Sequence, residues 1–341
     1  MSKDQKHIVV IRLSAMGDVA MTIPVLRAFQ QQYPDVKLTI LTRKFFRPFF
    51  RDLKRVNFID FDPKGVHKSI FGLYRLSVAI VKTKPLAVAD LHNVLRTNVL
   101  KFFSRGIYFK QIDKGRNEKK ALVSGKSFKP LKTTIERYSD VFKSLGFPLD
   151  FSNSEFPIKP ELSTKVYNLI GQDHKKWIGI APFAAFKGKM YPIDLMEQVI
   201  KQLGETYKIL LFGGGAQEQK VLNAIQENNP SCVSLVGTLS LDEELDVIAN
   251  LDVMLAMDSG NAHMAAMMGV AVVTLWGVTH PYAGFSPFNQ PEHYNILADR
   301  KKFPLIPTSV YGNKAPEAYQ EAMRTITPNT IVDKIKSILK A

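Results

Sequence analysis

Residues 7–32 read HIVVIRLSAMGDVAMTIPVLRAFQQQ. The first part, His7–Leu13, is a nearly continuous apolar, β-branched run, which predicts a strand buried on both faces rather than one alternating between core and water. Ser14-Ala15-Met16-Gly17 then turns the chain, and Asp18–Gln32 has the spacing of an amphipathic helix. Strand, glycine turn and helix in this order are the opening of a parallel α/β sheet covered on both faces.

The pattern repeats outward from that unit. Val36–Thr42, Phe58–Phe61 and Leu86–Leu91 read as strands, and Ile70–Val81 and Thr133–Leu145 as helices; the basic, aperiodic residues 106–130 read as a long loop or lid. Gly146–Pro160, with three prolines and little periodicity, reads as a linker. The alternation then restarts with strands at Trp177–Ala181, Lys208–Phe212, Cys232–Val236, Val253–Met257 and Ala271–Trp276. Helices fall between them at Ile193–Leu203, Gln217–Asn228, Leu241–Ala249 and Ala262–Met268, with two more at Glu317–Arg324 and Ile331–Leu339. The expected class is α/β, with two doubly wound, Rossmann-like domains over 1–155 and 156–315. The helices of 316–341 are expected to pack back on the first domain. Open parallel sheets bind ligands at the carboxyl ends of their strands, so a cleft between the domains is the expected active site.

Composition narrows the function. With 45% hydrophobic and 23% charged residues in 341, the chain is a folded protein and not a disordered polyelectrolyte. The single cysteine, Cys232, excludes a disulfide framework and a cysteine-based zinc site, and its apolar neighbours predict a buried thiol. The N-terminal stretch lacks the pattern of a signal peptide, and no apolar run approaches the length of a membrane span, so a soluble cytoplasmic chain is expected. The net charge of +15 is unevenly placed: residues 1–160 hold 30 Lys and Arg against 13 Asp and Glu, and 161–341 hold 16 against 18. Such asymmetry points to an anionic partner, whether nucleic acid, a membrane surface or a phosphorylated substrate, or simply to a solubilising face.

Four predicted strand ends carry chemistry. Asp18 opens the first helix, where it serves either as an ordinary first-turn acid or as a general base; the lack of further glycines after Gly17 excludes a dinucleotide fingerprint. Lys187 and Lys189 lie in a loop after the strand ending at Ala181, where two cations can neutralise a leaving phosphate without a metal, or merely face solvent. Gly213-Gly214-Gly215 precede Glu218, suited to ribose hydroxyls or to the helix dipole. Asp258-Ser259-Gly260 opens an Ala/Met-rich helix whose free N–H groups suit a phosphate, with His263 one turn further in; a plain strand–helix turn is the competing reading.

Taken together, these motifs resemble the bacterial heptosyltransferases, glycosyltransferase family nine. IRLSAMGDVAMTIPVLRAFQQQYP is similar to that family's N-terminal signature, AMDSGNAHMAAMMGVAVVTLWGVTHP to its C-terminal one, GKMYP to its Lys-x-Trp-Pro element and GGGAQE to its glycine-rich turn. The resemblance implies a GT-B fold with the acceptor on the N-terminal domain and a nucleotide sugar on the C-terminal one. It implies an inverting transfer that needs no metal or cofactor, of a heptose or related sugar from ADP-heptose to the inner core or lipid A of lipopolysaccharide. By the same resemblance Asp18 is the base, Lys189, Ser259 and Gly260 hold the diphosphate, and Glu218 binds the ribose. Leu239 would line the base pocket, Asp258 meet the donor sugar, and His263 support the helix start. Ser14, Gly17, Gly215 and Lys187 are further candidates for donor or acceptor contact.

Ala184 and Ala185 stand where the family carries small hydroxyl residues, Tyr191 stands for tryptophan and Val278 for a common proline. These departures bear on the donor more than on the fold. The alternatives are a sugar-nucleotide epimerase or hydrolase on the same scaffold and, more remotely, a nucleic-acid-binding protein, for which no recognition motif exists. The expected partners are therefore the nucleotide sugar and an anionic glycolipid, with peripheral contact to the inner face of the inner membrane and no nucleic acid.

Overall fold

The structure, a computed structural model, describes residues 6–340. The chain divides into two compact units. One comprises the residues up to Gly115 together with Thr133–Glu155, and the other comprises Arg116–Lys132 together with the residues from Phe156 onward.

The first unit contains β1 (His7–Ile11), α1 (Met16–Ala20), α2 (Thr22–Gln32), β2 (Lys37–Thr42), β3 (Val56–Asp60), α3 (Ile70–Lys82), β4 (Ala87–Asp90), α4 (Leu95–Phe103) and β5 (Tyr108–Gln111). After α5 (Arg116–Val123), which belongs to the second unit, comes α6 (Thr134–Ser144). All five strands are parallel, in the order β3-β2-β1-β4-β5. Alternation along β1 splits its side chains between two covered faces. Val9 and Ile11 pack with Leu73, Leu76, Ile80, Val88 and Leu100 beneath α3 and α4. Elsewhere in this unit α2 meets α6, where the Phe29 ring lies 4.9 Å from that of Phe142 and 5.5 Å from that of Phe147. The single helix expected over 18–32 is two, separated at Met21, because Pro24 has no N–H to donate to the Ala20 carbonyl four residues earlier.

The second unit contains α7 (Thr164–Ile170), β6 (Trp177–Ala181), α8 (Ile193–Gly204), β7 (Lys208–Leu211), α9 (Ala216–Asn228), β8 (Cys232–Ser234), α10 (Leu241–Asn250), β9 (Val253–Met257), α11 (Gly260–Met267), β10 (Ala271–Trp276), β11 (Asn295–Leu297) and α12 (Pro328–Lys340). Its six parallel strands run β11-β10-β9-β6-β7-β8. Cys232 is buried, and burial pushes its thiol up to about 11, as suits a packing residue.

Two expectations are corrected here. The C-terminal helices belong to the second unit: Ile331, Val332, Ile335 and Leu339, one apolar stripe of α12, lie in the same core as Ile200, Leu203, Val253 and Val273. Nor are residues 106–130 a structureless lid. They supply β5, and from Arg116 onward they form an arm docked in the second unit. Phe128 packs 5.0 Å from the rings of both His280 and Tyr282 under the Arg300 guanidinium, Lys119 Nζ lies 4.2 Å over the Phe285 ring, and Leu131 N–H donates to Tyr282 O. The arm also moves charge: 23 Lys and Arg against 12 Asp and Glu belong to the first unit, and 23 against 19 to the second, a milder asymmetry than the halves of the sequence suggest.

Candidate active site

In each sheet the strand order reverses at one place, between β1 and β4 in the first unit and between β6 and β9 in the second. Side chains beyond the carboxyl ends of those strands face the opening where α/β sheets hold ligands. Asp18 follows β1; Lys187 and Lys189 follow β6; Asp258, Ser259 and Gly260 follow β9. The topology thus places most of the expected residues at the switch point of their own unit.

In the first unit, Asp18 sits in the first turn of α1. Its Oδ2 is 2.6 Å from Arg12 Nη2 and accepts the Ala15 N–H at 3.3 Å, while Oδ1 takes no hydrogen bond among the described residues. Arg12 is itself fixed: it is 6% exposed, and its Nη1 donates to Leu91 O, beyond β4. Tyr138 Oη donates to the Asp18 carbonyl, tying α6 to the same turn. One carboxylate oxygen is thereby held and the other left open, in a side chain still 30% exposed. Ser14 and Gly17 lie in this turn, and the Ser14–Ala15 peptide is cis.

Two residues of this unit's switch point were not singled out in the sequence: Arg12, inside the first apolar run, and His92, just past the strand read at Leu86–Leu91. Asp90, fully buried, shapes the second turn by accepting the N–H groups of His92 and Asn93 on Oδ1 and the Gln111 amide on Oδ2. His92 then stands among Arg12, Lys114, Arg43 and Arg96, and burial together with those cations pushes its imidazole down to about 3. His92 Nδ1, Arg12 Nε and Arg43 Nε are buried without hydrogen-bond partners. Cations gathered around a neutral imidazole, with donors unspent, form a place for an anion.

In the second unit Lys189 Nζ lies 2.8 Å from Asp258 Oδ2, which also accepts the Thr279 hydroxyl at 2.8 Å. The two residues expected to meet diphosphate and sugar therefore meet each other. Glycines bring their loops together: Val278 N–H donates to Gly188 O, and a Cβ on Gly277 would stand 2.2 Å from that same oxygen. Ser259 occupies the cap position of α11 but makes no capping bond, and its Oγ is buried and unpartnered; Gly260 follows as the first helical residue. His263 is buried one turn in. The unspent hydroxyl and the N–H groups of the first helical turn all suit an anion.

The remaining candidates are spread around this centre. Glu218, in the first turn of α9, accepts the Gly214 N–H at 2.7 Å, a local cap that leaves its second oxygen free among the described residues. Gly215, at φ 82°, supplies a backbone that L side chains rarely adopt. Gln219 donates to Val236 O and so holds the loop that carries half-buried Leu239. A cavity of about 580 Å³ joins Lys187 and Glu218 with Phe183, Tyr191 and Arg324, but excludes Lys189, Asp258 and Ser259. It lies beside the anion site rather than on it. Tyr191 is a core residue: it is 1% exposed, burial pushes its hydroxyl up to about 12, and that hydroxyl donates to Ile326 O. Among the described residues no group of three or more His, Cys, Asp or Glu side chains is placed to hold a metal ion, and no helix is long and apolar enough to cross a membrane.

Comparison with known proteins bears on the family and the fold. Lipooligosaccharide heptosyltransferase 2 of Haemophilus influenzae is 26% identical, covering 98% of this chain and 99% of its own. A glycosyltransferase family 9 structure from Veillonella parvula superposes with a TM-score of 0.76 at 20% identity over 100% of this chain and 99% of its own. The Escherichia coli heptosyltransferase WaaC, solved with ADP, gives 0.72 at 19% identity over 97% and 99%. These likenesses establish the GT-B fold class. The model of glycosyltransferase family 9 (heptosyltransferase) matches residues 88–304, well over half of the sequence, and the chain belongs to that family of glycosyltransferases.

Proposed function

We propose that the protein transfers a heptose from ADP-heptose to an inner-core or lipid A acceptor of lipopolysaccharide, with inversion at the anomeric carbon and without a metal. The observation that carries the reading is the second unit's switch point, where a buried lysine, an unpartnered serine hydroxyl and a helix N-terminus converge. That set suits a diphosphate leaving group. Lys189 and the N–H groups at Ser259 and Gly260 take up the charge that develops as the bond from the anomeric carbon to the phosphate oxygen breaks. Asp18 Oδ1 receives the acceptor hydroxyl proton as the new carbon–oxygen bond forms on the opposite face of the sugar. Arg12 positions that carboxylate. Glu218 holds the ribose, Leu239 lines the base pocket, and Asp258 meets the donor sugar once the diphosphate shares Lys189. The cations around His92 receive an anionic group of the acceptor, a phosphate or a carboxylate.

The heptosyltransferase relatives and the ADP in one of the solved structures support heptose and ADP over other donors. An acceptor carried by a lipid places the reaction at the cytoplasmic face of a membrane, with the protein bound peripherally. A thermal-shift screen tests the donor. Stabilisation by ADP and ADP-sugars, but not by UDP- or GDP-sugars, is expected, and a preference for UDP or GDP, or no response to any nucleotide, overturns the assignment.

A further inference from the structure

α3 and α4 lie side by side on the first unit's sheet, burying Leu73, Leu76, Ile80 and Leu100. Other side chains of the two helices form a connected row of rings. Phe71 stacks on Tyr74 with centroids 6.4 Å apart, Tyr74 meets Phe103 at 5.5 Å, and Phe103 meets Phe102 at 5.4 Å. The row is open to solvent: Phe71 is 60% exposed, Tyr74 46% and Phe102 58%, beside Ile70 at 69%. Single exposed apolar residues are ordinary, but a continuous row marks a binding surface.

The charge around the row identifies what it binds. A guanidinium lies over a ring at each end, Arg75 Cζ 4.5 Å from the Phe71 centroid and Arg105 Cζ 4.7 Å from that of Phe102. Residues 63–112, which include both helices, hold nine Lys and Arg and one acid, Asp90. Asp90 is fully buried, so this stretch presents cations to solvent and no carboxylate. Protein–protein interfaces are also rich in aromatic rings and arginine but poor in lysine, whereas this stretch adds six lysines to its three arginines, which favours lipid phosphates over a protein partner. Aromatic rings at headgroup depth beside Arg and Lys on lipid phosphates match every element of it.

We propose that the α3–α4 face, with Phe71, Tyr74, Phe102, Arg75 and Arg105, docks on an anionic bilayer. The proposal rests on the reading that the acceptor is a glycolipid. It deepens that reading by naming the surface that brings the enzyme to its substrate.

The full chain is tested by co-sedimentation with vesicles of phosphatidylcholine, with and without phosphatidylglycerol. Wild type is expected to pellet with the anionic vesicles only, less so as salt rises. Arg75→Gln with Arg105→Gln lowers the partition coefficient about thirtyfold, from roughly 1 kcal/mol per cation near the surface. Phe71→Ser with Phe102→Ser lowers it roughly a hundredfold and removes the salt-resistant remainder. If the phenylalanine variant does not fold, the arginine pair, both exposed, carries the test alone. Transfer to a delipidated, water-soluble acceptor is unchanged in both variants. Wild type that stays in the supernatant, or variants that pellet as wild type does, overturns the proposal. So does sedimentation velocity that shows a dimer lost in the variants while vesicle binding persists. Failure of wild type to glycosylate the soluble acceptor strikes instead at the transferase reading, so the two failures are told apart.

Discussion

Lys189 Nζ and Asp258 Oδ2 lie 2.8 Å apart, with both side chains close to nine-tenths buried. Removing one member of a buried pair leaves the other charge uncompensated, at a cost of about 3–5 kcal/mol. Asp258→Asn therefore lowers Tm by roughly 10 °C. A bound diphosphate gives the stranded lysine a new counter-ion, so ADP restores much of that loss and shifts Tm more in this variant than in wild type. Lys189→Met is destabilised too, but ADP does little for it. Scanning fluorimetry of the three proteins with and without ADP decides the matter, and equal ADP shifts in all three remove Lys189 from the phosphate site.

The Arg12–Asp18 pair separates chemistry from positioning. Asp18→Asn keeps the shape of the side chain and loses the proton acceptor, so kcat falls by about 10²–10⁴ while ADP affinity stays near wild type. Arg12→Met leaves the acceptor oxygen in place but unaimed, and kcat falls about tenfold with the donor KM unchanged. Steady-state kinetics with the donor varied checks both. Turnover in Asp18→Asn within a few-fold of wild type, of order RT in barrier height, assigns the base elsewhere.

Those two pairs also mark the limit of what a sequence discloses. Four of the five strands of the first sheet and five of the six of the second, their parallel sense and the loops at the switch points were legible because a strand, turn and helix in succession announce themselves within about a dozen neighbouring residues, whereas the short edge strands β5 and β11 were not. Asp18, Lys189 and Asp258 were legible for the same reason, as chemistry placed at strand ends. Partners are another matter. Arg12 donates to Leu91 across 79 positions, and Lys189 meets Asp258 across 69, which no local pattern encodes. The helix α4 escaped because exposed Leu95 and Phe102 spoil its one-sided stripe. The destination of α12 was hidden because an amphipathic stripe states that a face is buried and not against what.

Gly277 and Gly188 offer a test of geometry without a change in charge. A Cβ on Gly277 would fall 2.2 Å from the Gly188 carbonyl oxygen, so Gly277→Ala forces the loop carrying Lys187 and Lys189 outward. Overpacking of this kind costs about 1–3 kcal/mol, and the displaced lysine weakens ADP binding roughly tenfold. Gly188→Ala meets the Val278 methyls at 2.8 Å and 2.9 Å, which are easier to move, and its effect is smaller. Calorimetric titration with ADP ranks the variants, and an unaltered Kd in Gly277→Ala shows that donor binding does not depend on the position of this loop.

Two half-buried groups give stability opposite dependences on pH. His92 is pushed down to about 3 by burial and surrounding cations, so the unfolded chain takes up a proton near pH 6.5 that the folded one refuses. Stability therefore falls as pH drops below 6.5, by on the order of 1–2 kcal/mol at pH 5 from this residue. Glu244, near the start of α10, is pushed up to about 7 by burial alone. Here the folded chain keeps a proton that the unfolded one releases above pH 4.5, so stability declines as pH rises through that window and the loss is complete above pH 7. His92→Gln should flatten the acid limb of a Tm-against-pH curve and leave Tm at pH 8 nearly unchanged. Glu244→Gln should do the reverse, raising Tm at pH 8 by several degrees and altering little at pH 4.5. Should both curves run parallel to that of wild type, neither group titrates as its surroundings require, and the cationic setting of His92 would no longer favour an acceptor anion there.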